Sequence, residues 1–390
     1  MKTAIRMRVS SAVLVAAFAA PLVLPAAPAW AQTTAVRSGK PTAIVAMGDS
    51  YISGEGGRWM GNSTTISGSR SGTDRAYIGG VTYRPENVYG ATFASGCDRS
   101  DVAQVQSNAI QVDKKINIAC STARAVNLLK TSSGGKALKG EAPEGDQLYA
   151  IARDNDVKAI MVSVGGNDVG FGDILKDCIT DYLVSPSLFP HYCHTDAQKK
   201  MEAVMSSAMA AVGRTLDDIR STMRGAGYAD TSYKIIFQGP FSVVPRGNEN
   251  RYAESGMART TVGGCPMWNA DATWARDEVV PLLAQEMGRT ANEHGAVFLD
   301  LQDAFQGREL CSKSTAQADD THPPTPLSGE WARYLNTGLL QGTYQESLHP
   351  NYYGQKAIGA CYALAYASPR QAVSCRNRPG ADWTGMYLSD

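Results

Sequence analysis

Residues 43–56 read AIVAMGDSYISGEG, and the step in the middle of that stretch decides the architecture. The apolar run 43–47 stops at Gly48-Asp49-Ser50. A short apolar run without polar alternation is the pattern of a strand buried on both faces, as in a parallel sheet, and the Gly-Asp-Ser step ends it in a turn. Three further runs repeat the pattern. Residues 158–164 (KAIMVSV) stop at Gly165-Gly166-Asn167-Asp168, residues 233–238 (YKIIFQ) stop at Gly239-Pro240, and residues 296–300 (AVFLD) complete the set. Helical periodicity fills the intervals: short patterns at 123–130 and 147–154, an amphipathic Ala- and Met-rich stretch at 197–223, then 272–293 and 353–366. Pro281 kinks or divides the fourth of these, and Gly295 caps it. Strands alternating with helices predict a parallel sheet covered on both faces, with functional loops at the carboxyl ends of the strands. There is no internal repeat and no inter-domain linker. The chain is therefore expected to form one domain over 32–390, with loop insertions at about 54–93, where Gly, Ser and Thr crowd residues 54–80, and at 178–196.

The N-terminus has its own grammar. Lys2, Arg6 and Arg8 precede an apolar run, 12–24, and then Ala29-Trp30-Ala31. Basic, apolar and small-x-small segments in that order predict a secretory signal peptide, residues 1–31, and an extracellular protein. The apolar run is shorter than the ~20 residues of a membrane span, which weighs against a retained anchor. Lys+Arg and Asp+Glu both number 37, so no charge excess steers the surface toward nucleic acid or an anionic membrane. The expected partner is a small-molecule or lipid ester, met by a monomer without stable membrane insertion, and no cofactor or metal is indicated. Eight cysteines, Cys97, Cys120, Cys178, Cys193, Cys265, Cys311, Cys361 and Cys375, include no C-x-x-C pair. An even count in an exported chain predicts four disulfides. Among about 105 possible pairings, the nearest-neighbour one is taken as the hypothesis.

Three polar clusters can carry chemistry. Ser50 follows the first strand, where a hydroxyl can be presented over the sheet edge, although a serine there also reads as the cap of a following helix. Gly165-Gly166-Asn167-Asp168 combines a backbone that a ligand can approach closely with an amide offering two donors. Glu346-Ser347-Leu348-His349-Pro350 sets an imidazole directly before the last helix, a rigid mount for a base. A rival exists in Asp319-Asp320-Thr321-His322-Pro323, but Pro323, Pro324 and Pro326 forbid a helix after His322, and His349 is preferred. His191 and His194 have a spacing that could suit a metal but lack a carboxylate–histidine cluster, and read as loop residues. His294 sits at a helix end, where a cation suits the dipole.

Together the clusters resemble the SGNH, or GDSL, hydrolase family, in its secreted actinobacterial lipase/esterase branch. The motif G-D-S-Y-x-S-G-x-G stands here as Gly48-Asp49-Ser50-Tyr51-Ile52-Ser53-Gly54-Glu55-Gly56, the G-x-N-D block as Gly165-Gly166-Asn167-Asp168, and the D-x-x-H-P block as Glu346-Ser347-Leu348-His349-Pro350. The resemblance implies a three-layer α/β/α sandwich with a flavodoxin-like parallel sheet. It further implies Ser50 as nucleophile, His349 as general base, and an oxyanion hole from the N–H groups of Ser50 and Thr122 with the Asn167 amide. The sequence departs from the family at two places. In Ala119-Cys120-Ser121-Thr122-Ala123, Thr122 stands where a glycine is expected, and Glu346 replaces the usual Asp, so either Glu346 or a nearby carbonyl orients the imidazole. There is no G-x-S-x-G elbow of the α/β-hydrolase type. Neither insertion shows the long apolar lid helix of an interfacial enzyme. The resemblance implies lipase, esterase or phospholipase activity, with carbohydrate deacetylation as the alternative. A non-catalytic binding protein and a hydrolase using a metal at His191 and His194 are the readings from other classes.

Overall fold

A computed structural model describes residues 39–63, 72–79, 81–336 and 342–389. The expected signal peptide and part of the 54–93 insertion lie outside the described residues, which fall within one compact unit, Arg37–Asp390. Among the described residues no helix is long and apolar enough to cross a membrane.

A seven-stranded sheet forms the centre. Its strands are β1 (Thr42–Gly48), β2 (Lys114–Asn117), β3 (Asp156–Ser163), β4 (Lys234–Gln238), β5 (Val297–Asp300), β6 (Ala372–Arg376) and β7 (Tyr387–Ser389). They lie in the order β2-β1-β3-β4-β5-β6-β7. All pair in parallel except β7, which is antiparallel to β6. The four apolar runs of the sequence are the adjacent strands β1, β3, β4 and β5. Ile44, Val45, Met47, Ile160, Met161, Val162, Ile236, Phe237 and Leu299 are fully buried in them. Strands covered on both faces need no polar side, which is why these runs lack alternation.

The main helices are α1 (Ser50–Ser53), α2 (Glu144–Asp154), α3 (Phe171–Val184), α4 (His194–Gly225), α5 (Val280–Glu293) and α6 (Tyr352–Ala367). Helices α2 and α5 pack on α4, whereas α6 packs on the short helix Gln104–Ser107. The result is a three-layer α/β/α arrangement. Along α4, Met201, Met205, Ala208, Met209, Val212, Leu216, Ile219 and Met223 are buried at three- and four-residue steps. Such spacing lays one apolar stripe on the sheet.

Several local expectations change. The helical pattern at 123–130 shrinks to one turn, Ala125–Leu128. The pattern at 272–293 is divided: Asn269–Trp274 and α5 are joined by a π turn, Ala275–Val279. Pro281 lies in the first turn of α5, directly after the π turn. The segment 178–196 is not one loop. Residues 178–184 end α3, α4 begins at His194, and only the short tip between them is irregular. The 54–93 insertion contributes buried side chains to the fold, among them Arg58, Trp59 and Asp74. The disulfides are Cys97–Cys120, Cys178–Cys193, Cys265–Cys311 and Cys361–Cys375, the nearest-neighbour set, and no cysteine is free.

Strand order reverses at β1, between β2 and β3. In open parallel sheets the crevice outside the carboxyl ends at such a switch point is where ligands bind.

Candidate active site

The turn after β1 is built for close approach. Gly48 has φ +134°, and a β-carbon there would sit 1.9 Å from the carbonyl oxygen of Ser163 at the end of β3, so only glycine fits. The next residue, Asp49, donates its N–H to that same oxygen at 2.9 Å. Its carboxylate accepts from the Tyr51 N–H and the Ser163 hydroxyl, both at 3.1 Å, and so caps α1. Burial pushes the Asp49 carboxyl up to about 7. From α2, buried Glu144 accepts the Gly48 N–H at 2.6 Å, and burial holds its carboxyl well above the usual range. These clamps leave Ser50 as the first residue of α1, 8% exposed. Its N–H therefore has no intrahelical acceptor.

The imidazole arrives from the far end of the chain. His349 Nε2 lies 2.6 Å from Ser50 Oγ. Its Nδ1 lies 2.9 Å from the carbonyl oxygen of Ser347. A carbonyl only accepts, so the proton belongs on Nδ1, and Nε2 presents its lone pair to the serine hydroxyl. The two-residue reach is made by Leu348 at φ +63°, in a segment bonded to Arg333 through the Leu348 N–H at 2.7 Å and the His349 carbonyl at 2.8 Å. Immediately beyond, the Asn351 side chain caps α6 through the N–H groups of Tyr353 and Gly354. Burial lowers the imidazole pKa from its ordinary value to about 4, opposed by the Ser347 carbonyl and the Glu346 charge.

Glu346, expected as a candidate to orient His349, is turned away from it. Its carboxylate accepts from the Tyr89 hydroxyl at 2.8 Å and the Thr343 N–H at 3.1 Å, and lies 3.5 Å from Arg58 Nε. Buried Arg58 also pairs with Asp74 at 2.8 Å. These partners draw the carboxylate into the 54–93 segment, and the backbone carbonyl takes its place at the ring.

A second carboxyl escaped the sequence reading. Glu55, at the variable position of the glycine-rich motif, sits with Oε2 3.9 Å from His349 Nε2 and is buried. It accepts from the Ser121 hydroxyl at 2.6 Å, and burial raises its carboxyl well above the ordinary value. The only available signal was an acid among otherwise small residues.

Thr122 adopts φ +74°, the left-handed conformation natural to the glycine it replaces. The loop is pinned by the Cys97–Cys120 bridge and by the Cys120 N–H donating to the Gly48 carbonyl at 2.9 Å. Among the described residues no backbone group accepts the Thr122 N–H. Asn167 donates one amide hydrogen to the Ala123 carbonyl at 2.9 Å, leaving the other for a ligand. Its neighbour Asp168 accepts the Ala125 N–H at 3.1 Å and ties the two loops together.

Ser50, Glu55, Thr122, Asn167 and His349 line one cleft of about 360 Å³, walled by Phe171, Leu175 and Ile179 of α3 and by Leu335, Tyr344 and Leu348 opposite. Asp49, Tyr51, Gly166 and Phe171 also border a smaller apolar cavity of about 70 Å³ among Val164, Met209, Phe241, Val280, Leu283 and Met287. A wider crevice of about 960 Å³ runs past His194 and Trp274 and is lined by neither Ser50 nor His349. There His194 pairs with Asp271 at 2.7 Å, while His191 pairs with Asp181 at 2.9 Å. Each imidazole is thus taken by a separate carboxylate, and no three-ligand group forms among the described residues. His294 pairs with Asp217 at 2.9 Å. The rival His322 is 79% exposed and belongs to another depression, beside Asn62.

A doubly covered parallel sheet with hydroxyl, imidazole and amide donors gathered at its carboxyl edge is the build of an α/β/α hydrolase. Comparison with known proteins narrows this to a family. The model of the GDSL-like lipase/acylhydrolase family matches residues 46–357; the chain belongs to that family and is a carboxylic ester hydrolase. Among solved structures it is similar to the extracellular lipase of Streptomyces rimosus, at 20% identity over 83% of this chain and 97% of that one, with a TM-score of 0.46. It is similar also to phospholipase A1 of Streptomyces albidoflavus NA297, at 18% identity over 83% of this chain and 97% of that one, TM-score 0.46. The native aryl esterase of M. smegmatis matches at 12% identity over 83% of this chain and 96% of that one, TM-score 0.28. No curated protein matches the chain.

Proposed function

We propose that the chain is a secreted serine hydrolase that cleaves lipid or simple esters through an acyl-Ser50 intermediate, using a Ser50–His349 dyad. The observation that carries this is the 2.6 Å contact between Ser50 Oγ and His349 Nε2, with the opposite ring nitrogen held by the Ser347 carbonyl. His349 takes the hydroxyl proton as Ser50 Oγ bonds to the ester carbon. The oxyanion accepts hydrogen bonds from the N–H groups of Ser50 and Thr122 and from the free amide hydrogen of Asn167. His349 then returns the proton to the departing alkoxide as the ester C–O bond breaks, and water repeats the sequence to release the acid. A fluorophosphonate probe tests the nucleophile. Labelling at Ser50, lost in Ser50→Ala, is expected; an unlabelled Ser50 in folded protein favours a non-catalytic binding role.

The substrate reading rests on the apolar wall of α3 and the cavity beside it, which favour an acyl chain longer than acetate. Each methylene buried there contributes about 0.8 kcal/mol, roughly fourfold in kcat/KM. A series of p-nitrophenyl esters is expected to rise in kcat/KM from acetate through hexanoate. Acetylated xylan outperforming hexanoate reverses the reading in favour of sugar deacetylation.

Secretion is supported by the basic, apolar and small-residue order of residues 1–31 and by four disulfides, which persist in oxidising compartments. Culture-supernatant protein beginning at Gln32 is the expected result, and full-length protein in the cell pellet the contrary one.

A further inference from the structure

The turn between α3 and α4 carries an apolar surface that neither the fold nor the dyad uses. Leu183, Val184, Leu188, Phe189 and Tyr192 are 47%, 73%, 86%, 79% and 42% exposed. Five large apolar side chains within ten residues form a patch that water does not favour, unlike single exposed leucines, which are ordinary. The segment is not loose. The Cys178–Cys193 bridge ties its two ends, Phe189 donates its N–H to the Pro186 carbonyl at 2.9 Å, and His191 donates its N–H to the Ser185 hydroxyl at 3.1 Å. The patch is therefore preformed, so binding through it needs little further ordering.

Two observations identify what it meets. The first is continuity with the cleft. Phe171, Leu175 and Ile179 wall the cleft beside Ser50, and Leu183 follows one turn further along the same helix. Successive four-residue steps put neighbouring side chains in contact, and Phe171 to Leu183 spans ~18 Å of helix. The apolar track thus leaves the reacting serine and ends at the exposed tip. The second is charge. Residues 185–192, SPSLFPHY, contain no Asp, Glu, Lys or Arg. Within them His191 pairs with Asp181 at 2.9 Å, and on the flanking helix Lys200 pairs with Asp177 at 2.7 Å. Such a tip offers nothing to an anionic headgroup and suits an uncharged or zwitterionic interface.

We propose that the α3–α4 tip, residues 183–192, seats on a neutral lipid–water interface and delivers ester lipids along α3 to Ser50. This rests on the lipid-ester reading above. The route it names is the apolar face of α3, anchored at the cleft.

The test is a Leu188→Ser/Phe189→Ser variant, changed at two exposed positions outside the cleft. Binding is measured with both sequences in a Ser50→Ala background, by co-sedimentation with phosphatidylcholine vesicles. The double change is expected to lower vesicle affinity on the order of tenfold or more. Raising NaCl to about 0.5 M should leave parental binding unchanged, because no charge pair is involved. In proteins retaining Ser50, kcat/KM on soluble p-nitrophenyl butyrate should stay within about twofold, because the variant leaves the cleft intact. Equal vesicle binding by the two proteins overturns the proposal, as does binding confined to phosphatidylglycerol vesicles and abolished by salt. A wild-type dimer dissolved by the double change also overturns it, since a second copy would then be the occupant. Absence of butyrate turnover in both proteins strikes the ester reading itself and is distinguishable, because vesicle binding is read without catalysis.

Discussion

The chain contains two acid-x-x-His-Pro segments, and they behave oppositely. In 319–323 the acid holds its own histidine: Asp319 lies 3.0 Å from His322 Nδ1, in the open, with no hydroxyl of the cleft in reach. In 346–350 the acid has left for Tyr89 and Arg58, and the imidazole is held instead by the carbonyl of Ser347, 14% exposed and against Ser50. The segment with the better acid–histidine pair is thus the one without a nucleophile. A local motif proposes a base, but a buried, capped mount facing a hydroxyl makes one.

The sharpest way to break this comparison is to remove each imidazole in turn. His349→Ala is expected to cost kcat roughly a thousandfold or more on a soluble ester, whereas His322→Ala should leave it within about twofold. The reverse ranking would transfer the role to the exposed segment. Next in size is Asn167→Ala, which removes one proposed oxyanion donor and should lower kcat about 10²–10³-fold with KM little changed. An unchanged kcat takes Asn167 out of the hole. Smaller still is Glu346→Gln, which separates the acid from the ring it does not touch. Activity should hold within a few-fold while urea unfolding shows a loss of about 1.5–3 kcal/mol, from the hydrogen bonds to charged groups that the buried carboxylate makes. A large fall in kcat at unchanged stability would restore Glu346 to the imidazole. Glu55→Gln should change kcat least, since burial favours the neutral acid that glutamine mimics.

The same contrast explains what was legible in the sequence. Strands β1, β3, β4 and β5 are covered on both faces, so their apolar runs are continuous and visible. Strands β2 and β7 lie at the sheet edges and β6 beside β7, and their short, partly exposed sequences, such as Lys114–Asn117, carry no such signal. Helix α3 was hidden because its end and the following tip expose apolar residues that break the expected polar face. Ser50 and His349 lie 299 residues apart, and only their motifs connected them. That a carbonyl near Glu346 could hold the ring was legible as an alternative, but not that it is the carbonyl of Ser347, because every residue has one and only the turn at Leu348 aims it. Thr122 was legible as an anomaly but not as a solution, since its residue type argues against the φ it adopts.

The most direct test of the central claim, that a buried imidazole held by a carbonyl serves Ser50, is the pH dependence of kcat/KM on a soluble, non-ionising ester. Nε2 must be unprotonated to accept the serine proton, so activity rises with pH through the imidazole pKa. With burial lowering that value to about 4, and the charge of Glu346 only partly opposing it, the acid limb should have its midpoint near 4. A limb at the ordinary ~6.5 of a solvated histidine would contradict the account.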